Sequence, residues 1–229
     1  MSLTQNLQNK ANIEVVQTPE QQVERLIKKM EREIIKALPK HMSVDHFSRV
    51  IITAIKSNND LLKIMASDKY ITVLSSVMLS AQLGLDLTPS LGQGYLIPYG
   101  GTCTFQIGYR GLAKLVRQSG EISKIETNIV YKNDEFDLVL SPIEPKFKHR
   151  PKIDGDRGEP YLAYCIVLFK DGTYHLEWMD KKQIQQVKQK SPSARHSSSP
   201  WNTDEMEMWR KTVFKRASKW LPISTELSN

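Results

Sequence analysis

Apolar residues recur at three- and four-residue steps in the first part of the chain, which is the spacing of one helix face. The pattern predicts amphipathic helices over residues 21–38 and 43–56. A mostly apolar run predicts a third helix over residues 70–83, ended by Gly84 in a capping position. Residues 1–20 are polar and show no period, so they predict a flexible N-terminal arm.

The pattern changes in the middle of the chain to short, turn-bounded runs that are typical of strands. Runs over residues 95–99 and 102–107 flank two adjacent glycines, which predicts a β-hairpin, and a helix over residues 108–120 follows it. Further strands are predicted over 122–131, 135–140, 144–149, 160–169 and 173–179, helices over 180–190 and 204–220, and a Ser/Pro-rich loop over 191–200. Helices at both ends of a strand-rich middle predict an α+β fold with an antiparallel core.

The composition is that of an ordinary globular protein, with 40% hydrophobic and 25% charged residues among 229. These values exclude collagen-like and wholly disordered classes. An uncharged, mostly apolar run over residues 70–85 is interrupted by polar side chains and is too short for a membrane span. The N-terminus lacks the basic and apolar segments of a secretory signal, which predicts a cytoplasmic protein with no membrane partner.

The net charge of +7 is concentrated in four stretches of the chain. Helical spacing places three cations on one face of the helix over residues 108–120: Arg110, Lys114 and Arg117. Strand alternation projects three more to one side: Lys146, Lys148 and Arg150. Residues 181–203 contain no acid, and the candidates there are Lys190, Arg195 and His196. The final helix carries a stripe at i, i+4 and i+8, flanked by a further cation: Lys211, Lys215 and Lys219, with Arg216.

Cations that follow phosphates, interleaved with flat rings on which bases stack, are what a groove for single-stranded nucleic acid requires. Tyr109 and Trp201 lie beside basic stretches and are predicted to be the exposed rings. A plain solvated basic surface remains the alternative explanation. In the final helix, acids before bases also suit the helix dipole.

Catalytic motifs are sparse. The sequence contains no GxxxxGK[ST] phosphate loop, HExxH or GxSxG, and Cys103 and Cys165 predict buried thiols in a reducing compartment. One trace, formed by Asp137, Glu144 and Lys146, loosely matches the acidic residues and lysine with which metal-dependent nucleases hold a divalent ion. A metal-dependent nuclease is therefore the alternative function. An RNA chaperone is a third, because it differs from a DNA-binding protein only in the sugar of its ligand, and nothing in the sequence marks a 2′-hydroxyl reader.

Several motifs occur in a consistent order between residues 45 and 222, at 81–87, 94–99, 105–112, 117–120, 199–201 and 219–222. Together they resemble the RecT family of phage single-strand DNA annealing proteins. The resemblance implies a non-enzymatic, ATP-independent protein of homologous recombination and DNA repair, which coats single-stranded DNA, anneals complementary strands and forms rings or helical filaments. It also implies a phage exonuclease and the host single-strand-binding protein as partners, in the bacterial cytosol.

The resemblance implies DNA-binding roles for matching positions: Gln106, Tyr109, Arg110, Lys114, Arg117, Trp201, Lys211, Arg216 and Lys219. The remaining candidates rest on charge geometry alone: Lys146, Lys148, Arg150, Lys190, Arg195, His196 and Lys215. No cofactor is expected, with neither ATP nor a resident metal, although Mg²⁺ is a candidate modulator of DNA binding. Annealing needs held phosphates and free bases, so the expected ligands are a single strand and an annealed duplex intermediate.

The predicted organisation has three parts. Residues 1–20 form the arm, residues 21–60 a helical oligomerisation region, and residues 61–229 an α+β DNA-binding core that ends in a basic helix. Ordinary core packing explains the apolar faces of the two helices in 21–60 equally well, so both explanations stay open.

Overall fold

The computed structural model describes residues 18–141 and 146–223. The chain divides into two compact units, the first extending to Gly111 and the second beginning at Leu112. Among the described residues, the first unit contains four helices and a hairpin: α1 (Pro19–Ala37), α2 (Val44–Lys56), α3 (Asn59–Met65), α4 (Tyr70–Gln82), β1 (Gly94–Tyr99) and β2 (Thr102–Ile107), with a 3₁₀ turn at Pro89–Leu91. Helix α5 (Tyr109–Gln118) contains the boundary between the units.

The predicted amphipathic helices form the core of the first unit. Six of their apolar side chains are fully buried: Val23, Ile27 and Ile34 of α1, and Phe47, Ile51 and Ile55 of α2. Helix α3 was not predicted. It begins where Asn58 stops α2 from continuing, because the Asn58 side-chain oxygen accepts the backbone amides of Asp60 and Leu61 at 3.0 and 3.2 Å and so caps a new helix.

The predicted glycine hairpin is confirmed. Strands β1 and β2 pair in antiparallel register, and both turn glycines have positive φ, 56° at Gly100 and 76° at Gly101, as a two-residue hairpin turn requires. The backbone of Cys103 fixes the hairpin to α4. Its N–H donates to Thr72 Oγ1 at 3.0 Å, and its carbonyl accepts from the Ser76 hydroxyl at 3.3 Å.

The second unit is built on an antiparallel sheet with strand order β3-β6-β7. Its elements are β3 (Ile122–Tyr131), β4 (Glu135–Val139), β5 (Lys146–Arg150), β6 (Pro160–Phe169), β7 (Tyr174–Asp180), α6 (Lys181–Lys190), α7 (Pro200–Thr203) and α8 (Glu205–Ala217). Strands β4 and β5 form a separate two-stranded ladder. Helix α8 packs on the three-stranded sheet through Trp209, Val213 and Phe214, which are fully buried.

The α+β fold class is confirmed, with small differences at element ends. Residues 144 and 145, predicted to start the strand before Lys146, lie outside the described residues. The predicted loop 191–200 contains a 3₁₀ turn at Pro192–Arg195 and leads directly into α7. The predicted final helix ends earlier, at Ala217, and a 3₁₀ turn at Ser218–Trp220 follows. Among the helices of residues 18–141 and 146–223, none is both long and apolar enough to cross a membrane.

Candidate nucleic-acid interface

A surface cleft in the second unit brings four predicted cations together. It lies between α6 and the C-terminal part of α8 and has a volume of about 400 Å³. The cations around it are Lys190, Lys215, Arg216 and Lys219. Met179 and Val187 contribute apolar surface, so the cleft combines a partly apolar lining with a positively charged rim.

The four cations differ in whether a carboxylate of the protein pairs with them. Arg216 Nε donates to Glu177 Oε1 at 3.0 Å, so part of its charge is matched within the protein. Within the described ranges, no carboxylate forms an ion pair with Lys190, Lys215 or Lys219. An anion in the cleft would therefore meet three uncompensated ammonium groups, each able to donate charge-assisted hydrogen bonds.

The lysine stripe on α8 extends the positive surface beyond the cleft. Lys211, Lys215 and Lys219 are all exposed, as the i, i+4, i+8 spacing predicts. The pKa of Lys211 is lowered from its ordinary value, first because nearby protein atoms partly desolvate its ammonium and then because Lys215 repels it. A phosphate between the two lysines would remove that repulsion.

Trp201 is not an exposed ring, so the prediction for this residue is wrong. Its side chain is 3% exposed and belongs to the core of the second unit. The adjacent Asn202 Nδ2 donates to the carbonyls of Ala194 and His196 at 3.0 and 2.9 Å, so Trp201 and Asn202 together anchor the 191–200 segment, whereas Arg195 and His196 remain exposed. A buried indole offers no face to a base.

Trp220 is the exposed ring that sequence reasoning missed. Its side chain is 74% exposed and follows Lys219 directly. The α-helix ends at Ala217, and the 3₁₀ turn after it changes the direction of the side chains. Pro222 was the available signal, since helices usually end at or before the residue that precedes a proline, here Leu221.

Helix α5 carries the second group of candidates. Tyr109 and Arg110, in the first unit, are exposed, as is Gln106 at the end of β2, and Arg110 Nη1 donates to the Ser90 carbonyl at 3.3 Å. Lys114 and Arg117 of the same helix belong to the second unit, where Lys114 is half-buried and Arg117 exposed. The confirmed helix over Tyr109–Gln118 thus contains all three predicted basic positions.

The basic strand β5 is compensated by its neighbour β4. Lys146, Lys148 and Arg150 are exposed on one side of the strand, as predicted. Asp137 pairs with Lys146, and Glu135 pairs with both Lys148 and Arg150. Lys148 accordingly lowers the pKa of Glu135, and Asp137 raises the pKa of Lys146. Exposed ion pairs contribute only about 0–1 kcal/mol, so DNA binding by these cations stays a prediction that requires the pairs to open.

Asp134, close to the proposed nuclease trace, has a structural role. Its buried carboxylate accepts from Arg157 Nη2 at 2.6 Å and Nε at 3.0 Å, and from the backbone amides of Tyr131 and Lys152 at 2.9 Å each. His149 Nε2 lies 3.1 Å away. Burial alone would raise the pKa of Asp134, but Arg157, the two amides and His149 outweigh burial and hold the pKa well below its usual range.

The geometry gives the nuclease hypothesis no support. Asp137 forms an ion pair with Lys146, the lysine of the same trace, and Glu144 lies outside the described residues. In the part of the chain that the structure describes, no three His, Cys, Asp or Glu side chains gather where they could hold a metal ion.

The second unit has an open cleft with three lysines that pair with no described acid, and the exposed indole of Trp220 follows one of them, Lys219, in the chain. These are features of a nucleic-acid-binding protein. Sequence comparison agrees and is more specific. The RecT family model matches residues 45–229, so the chain belongs to the RecT family. This membership confirms the resemblance and supports a role in DNA recombination by single-strand annealing.

Two similar proteins were found. The chain is 32% identical to Protein RecT of Escherichia coli (strain K12) over 206 residues, which cover 86% of this chain and 74% of that protein. It is 30% identical over 159 residues to Uncharacterized protein YqaK of Bacillus subtilis (strain 168), covering 68% of this chain and 53% of that protein. The chain therefore spans about half the length of YqaK.

Proposed function

We propose that this protein binds single-stranded DNA and anneals it to a complementary strand without ATP, holding phosphates at the cleft between α6 and α8. The observation that carries the proposal is the convergence of Lys190, Lys215 and Lys219 on one cleft, without a paired carboxylate among the described residues.

Phosphate binding at this cleft suffices for annealing in physical terms. Two DNA strands repel each other through their phosphates, and cations that neutralise one strand lower that repulsion. Contacts to phosphates carry no sequence information, so any pair of complementary strands can be used. Base pairing supplies the favourable free energy, which makes nucleotide hydrolysis unnecessary.

The proposal extends to assembly and partners. A protomer of 229 residues covers only a few nucleotides, so long strands require a homo-oligomer, arranged as a ring or a filament. Support comes from apolar side chains left at the surface of the first unit, including Ile35, Ile71 and Leu79. An exonuclease that generates single strands and a single-strand-binding protein are the proposed partners, in the cytosol where they process DNA.

An annealing assay with end-labelled strands tests the function against both alternatives. Complementary oligonucleotides are mixed with the protein, without nucleotide and with EDTA, and duplex formation is followed by fluorescence transfer. We expect faster annealing than in buffer alone and intact strands when Mg²⁺ or Mn²⁺ replaces EDTA. No acceleration would contradict annealing, and shortened strands would support a nuclease. Tighter binding of RNA than of DNA of one sequence would support an RNA chaperone.

A further inference from the structure

The outer face of the β1–β2 hairpin is an exposed surface of uncharged side chains, among which Gln106 is a predicted DNA-binding residue. Alternate residues of β1 face away from the core: Tyr95, Ile97 and Tyr99 are 39%, 38% and 75% exposed. The register places three polar, uncharged residues opposite them on β2: Gln106, Thr104 and Thr102. The face therefore presents two aromatic rings, one aliphatic chain, an amide and two hydroxyl groups.

The hairpin is held rigidly enough to present these side chains in fixed positions. Leu96 and Cys103, on its inner side, are buried in the core of the first unit. The backbone of Cys103 is hydrogen-bonded to two side chains of α4, as described above. A binding surface on strands fixed in this way loses little conformational freedom when a ligand arrives.

The lack of a side chain at two glycines lets the Tyr95 ring lie close to the backbone. A Cβ atom at Gly108 would lie 3.0 Å from Tyr95 Cε2, and one at Gly92 would lie 3.3 Å from the Tyr95 hydroxyl oxygen. The same Cβ at Gly92 would lie 3.7 Å from Arg110 Cδ. The side chains of Tyr95 and Arg110 therefore both lie close to Gly92.

The chemistry of this face matches nucleobases better than phosphates. Its side chains bear no charge, so it attracts phosphates less strongly than the lysine cleft does, whereas its rings can stack on the flat faces of bases. The Gln106 amide can both donate and accept a hydrogen bond. Arg110, at the end of the same surface, provides the charge for the phosphate that follows a stacked base.

We propose that the outer face of the β1–β2 hairpin, with Tyr95 and Tyr99 as its rings, is a stacking platform for bases of bound single-stranded DNA. The inference rests on the proposed function and adds a base-contacting site to the phosphate-contacting cleft. Stacking engages the face of a base and leaves its pairing edge open to a complementary strand. Because every base has such a face, the platform accepts any sequence.

A double-mutant cycle with normal and abasic DNA tests the platform. The Tyr95→Ala/Tyr99→Ala protein and the wild type are titrated with a thymidine oligonucleotide and with an abasic oligonucleotide of equal length and charge. We expect the variant to bind thymidine DNA about 5- to 150-fold more weakly for each stacked base lost. Abasic DNA should bind both proteins equally, and the salt dependence should not change.

Three further variants control for folding and for nonspecific loss of a ring. Tyr95→Phe/Tyr99→Phe keeps both rings and should bind as the wild type does. Tyr99→Ala alone, at the hairpin tip, should show the base-dependent loss without disturbing the packing of Tyr95. Tyr174→Ala removes a ring of similar exposure, 49%, from β7 and should have no effect.

The outcomes separate this inference from the proposed function. If the wild type binds neither oligonucleotide, the proposed function itself is overturned. If the wild type binds both equally tightly, or if Tyr99→Ala weakens both equally, the platform is overturned and phosphate binding stands. If the variants lower the oligomer mass in sedimentation without any base-dependent loss, the face contacts a second copy of the chain instead, which also overturns the platform.

Discussion

Removing the three uncompensated lysines of the cleft should change how DNA binding depends on salt. In a Lys190→Gln/Lys215→Gln/Lys219→Gln protein, up to three phosphates lose their cations. Each phosphate neutralised on a single strand contributes about 0.7 to the slope of log affinity against log salt, so the slope should become shallower by about 2. Between about 50 and 200 mM salt, this difference means that the wild type loses about 20-fold more affinity than the variant does.

Arg216 provides an internal comparison for this prediction. Its Nε is bonded to Glu177, so binding a phosphate through that group requires an existing ion pair to open. Arg216→Gln should therefore reduce the slope by less than any one of the three lysine substitutions does.

Fluorescence anisotropy of a labelled thymidine oligonucleotide, titrated over a series of NaCl concentrations, measures the slope. The matched control is Lys36→Gln/Lys63→Gln/Lys124→Gln, which loses the same charge from exposed lysines that already pair with acids. The control should retain the wild-type slope. A triple cleft variant with the wild-type slope, or a control with an equally shallow slope, would refute the assignment of phosphates to the cleft.

Three further predictions concern stability. Trp201→Ala should lower the free energy of unfolding in urea by about 3–5 kcal/mol, whereas Trp220→Ala should change it by less than about 0.5 kcal/mol, because only the first indole is buried; equal effects would contradict the burial. Gly111→Ala should lower the melting temperature although alanine favours helices, because its Cβ would lie 1.9 Å from the Gln93 carbonyl oxygen; a higher melting temperature would contradict this close approach. The pKa of Asp134 is lower in the folded state than in the unfolded state, where it is about 3.9. The ionised carboxylate therefore stabilises the fold fully above about pH 3.9, and this stabilisation is lost as the pH falls towards the folded-state pKa. In urea unfolding below about pH 4, the stability of Asp134→Asn should depend less on pH than that of the wild type, and an identical dependence would contradict the prediction.

Local pattern was enough to predict much of the fold. The helices over Pro19–Ala37 and Val44–Lys56 follow from apolar spacing, and the β1–β2 hairpin follows from its glycine pair. Helix α3 was missed because it is a single short segment of seven residues with its own cap, too short for a period to show. The division of the chain at Gly111 falls inside a continuous helix, where no change of composition marks it.

The positions of the basic residues in the candidate site were predictable from the sequence. Which of these residues pair with acids was not. The stripe of Lys211, Lys215 and Lys219 needed only helical spacing, which the structure reproduces. The pairing of β5 with acids of β4 depends on strand register, and the convergence of α6 and α8 on one cleft depends on tertiary packing. Short-range patterns in the sequence show neither the register of the strands nor the packing of the two helices. The roles of the individual candidate residues in DNA binding stay predictions.

The rate of strand annealing without ATP, compared between cleft and control variants, decides whether the cleft between α6 and α8 holds the phosphates during annealing. Wild-type protein and the Lys36→Gln/Lys63→Gln/Lys124→Gln control should accelerate the pairing of complementary strands to the same extent. The Lys190→Gln/Lys215→Gln/Lys219→Gln protein, with an unchanged melting temperature, should lose most of the acceleration. Annealing by this folded cleft variant at the wild-type rate would contradict the account.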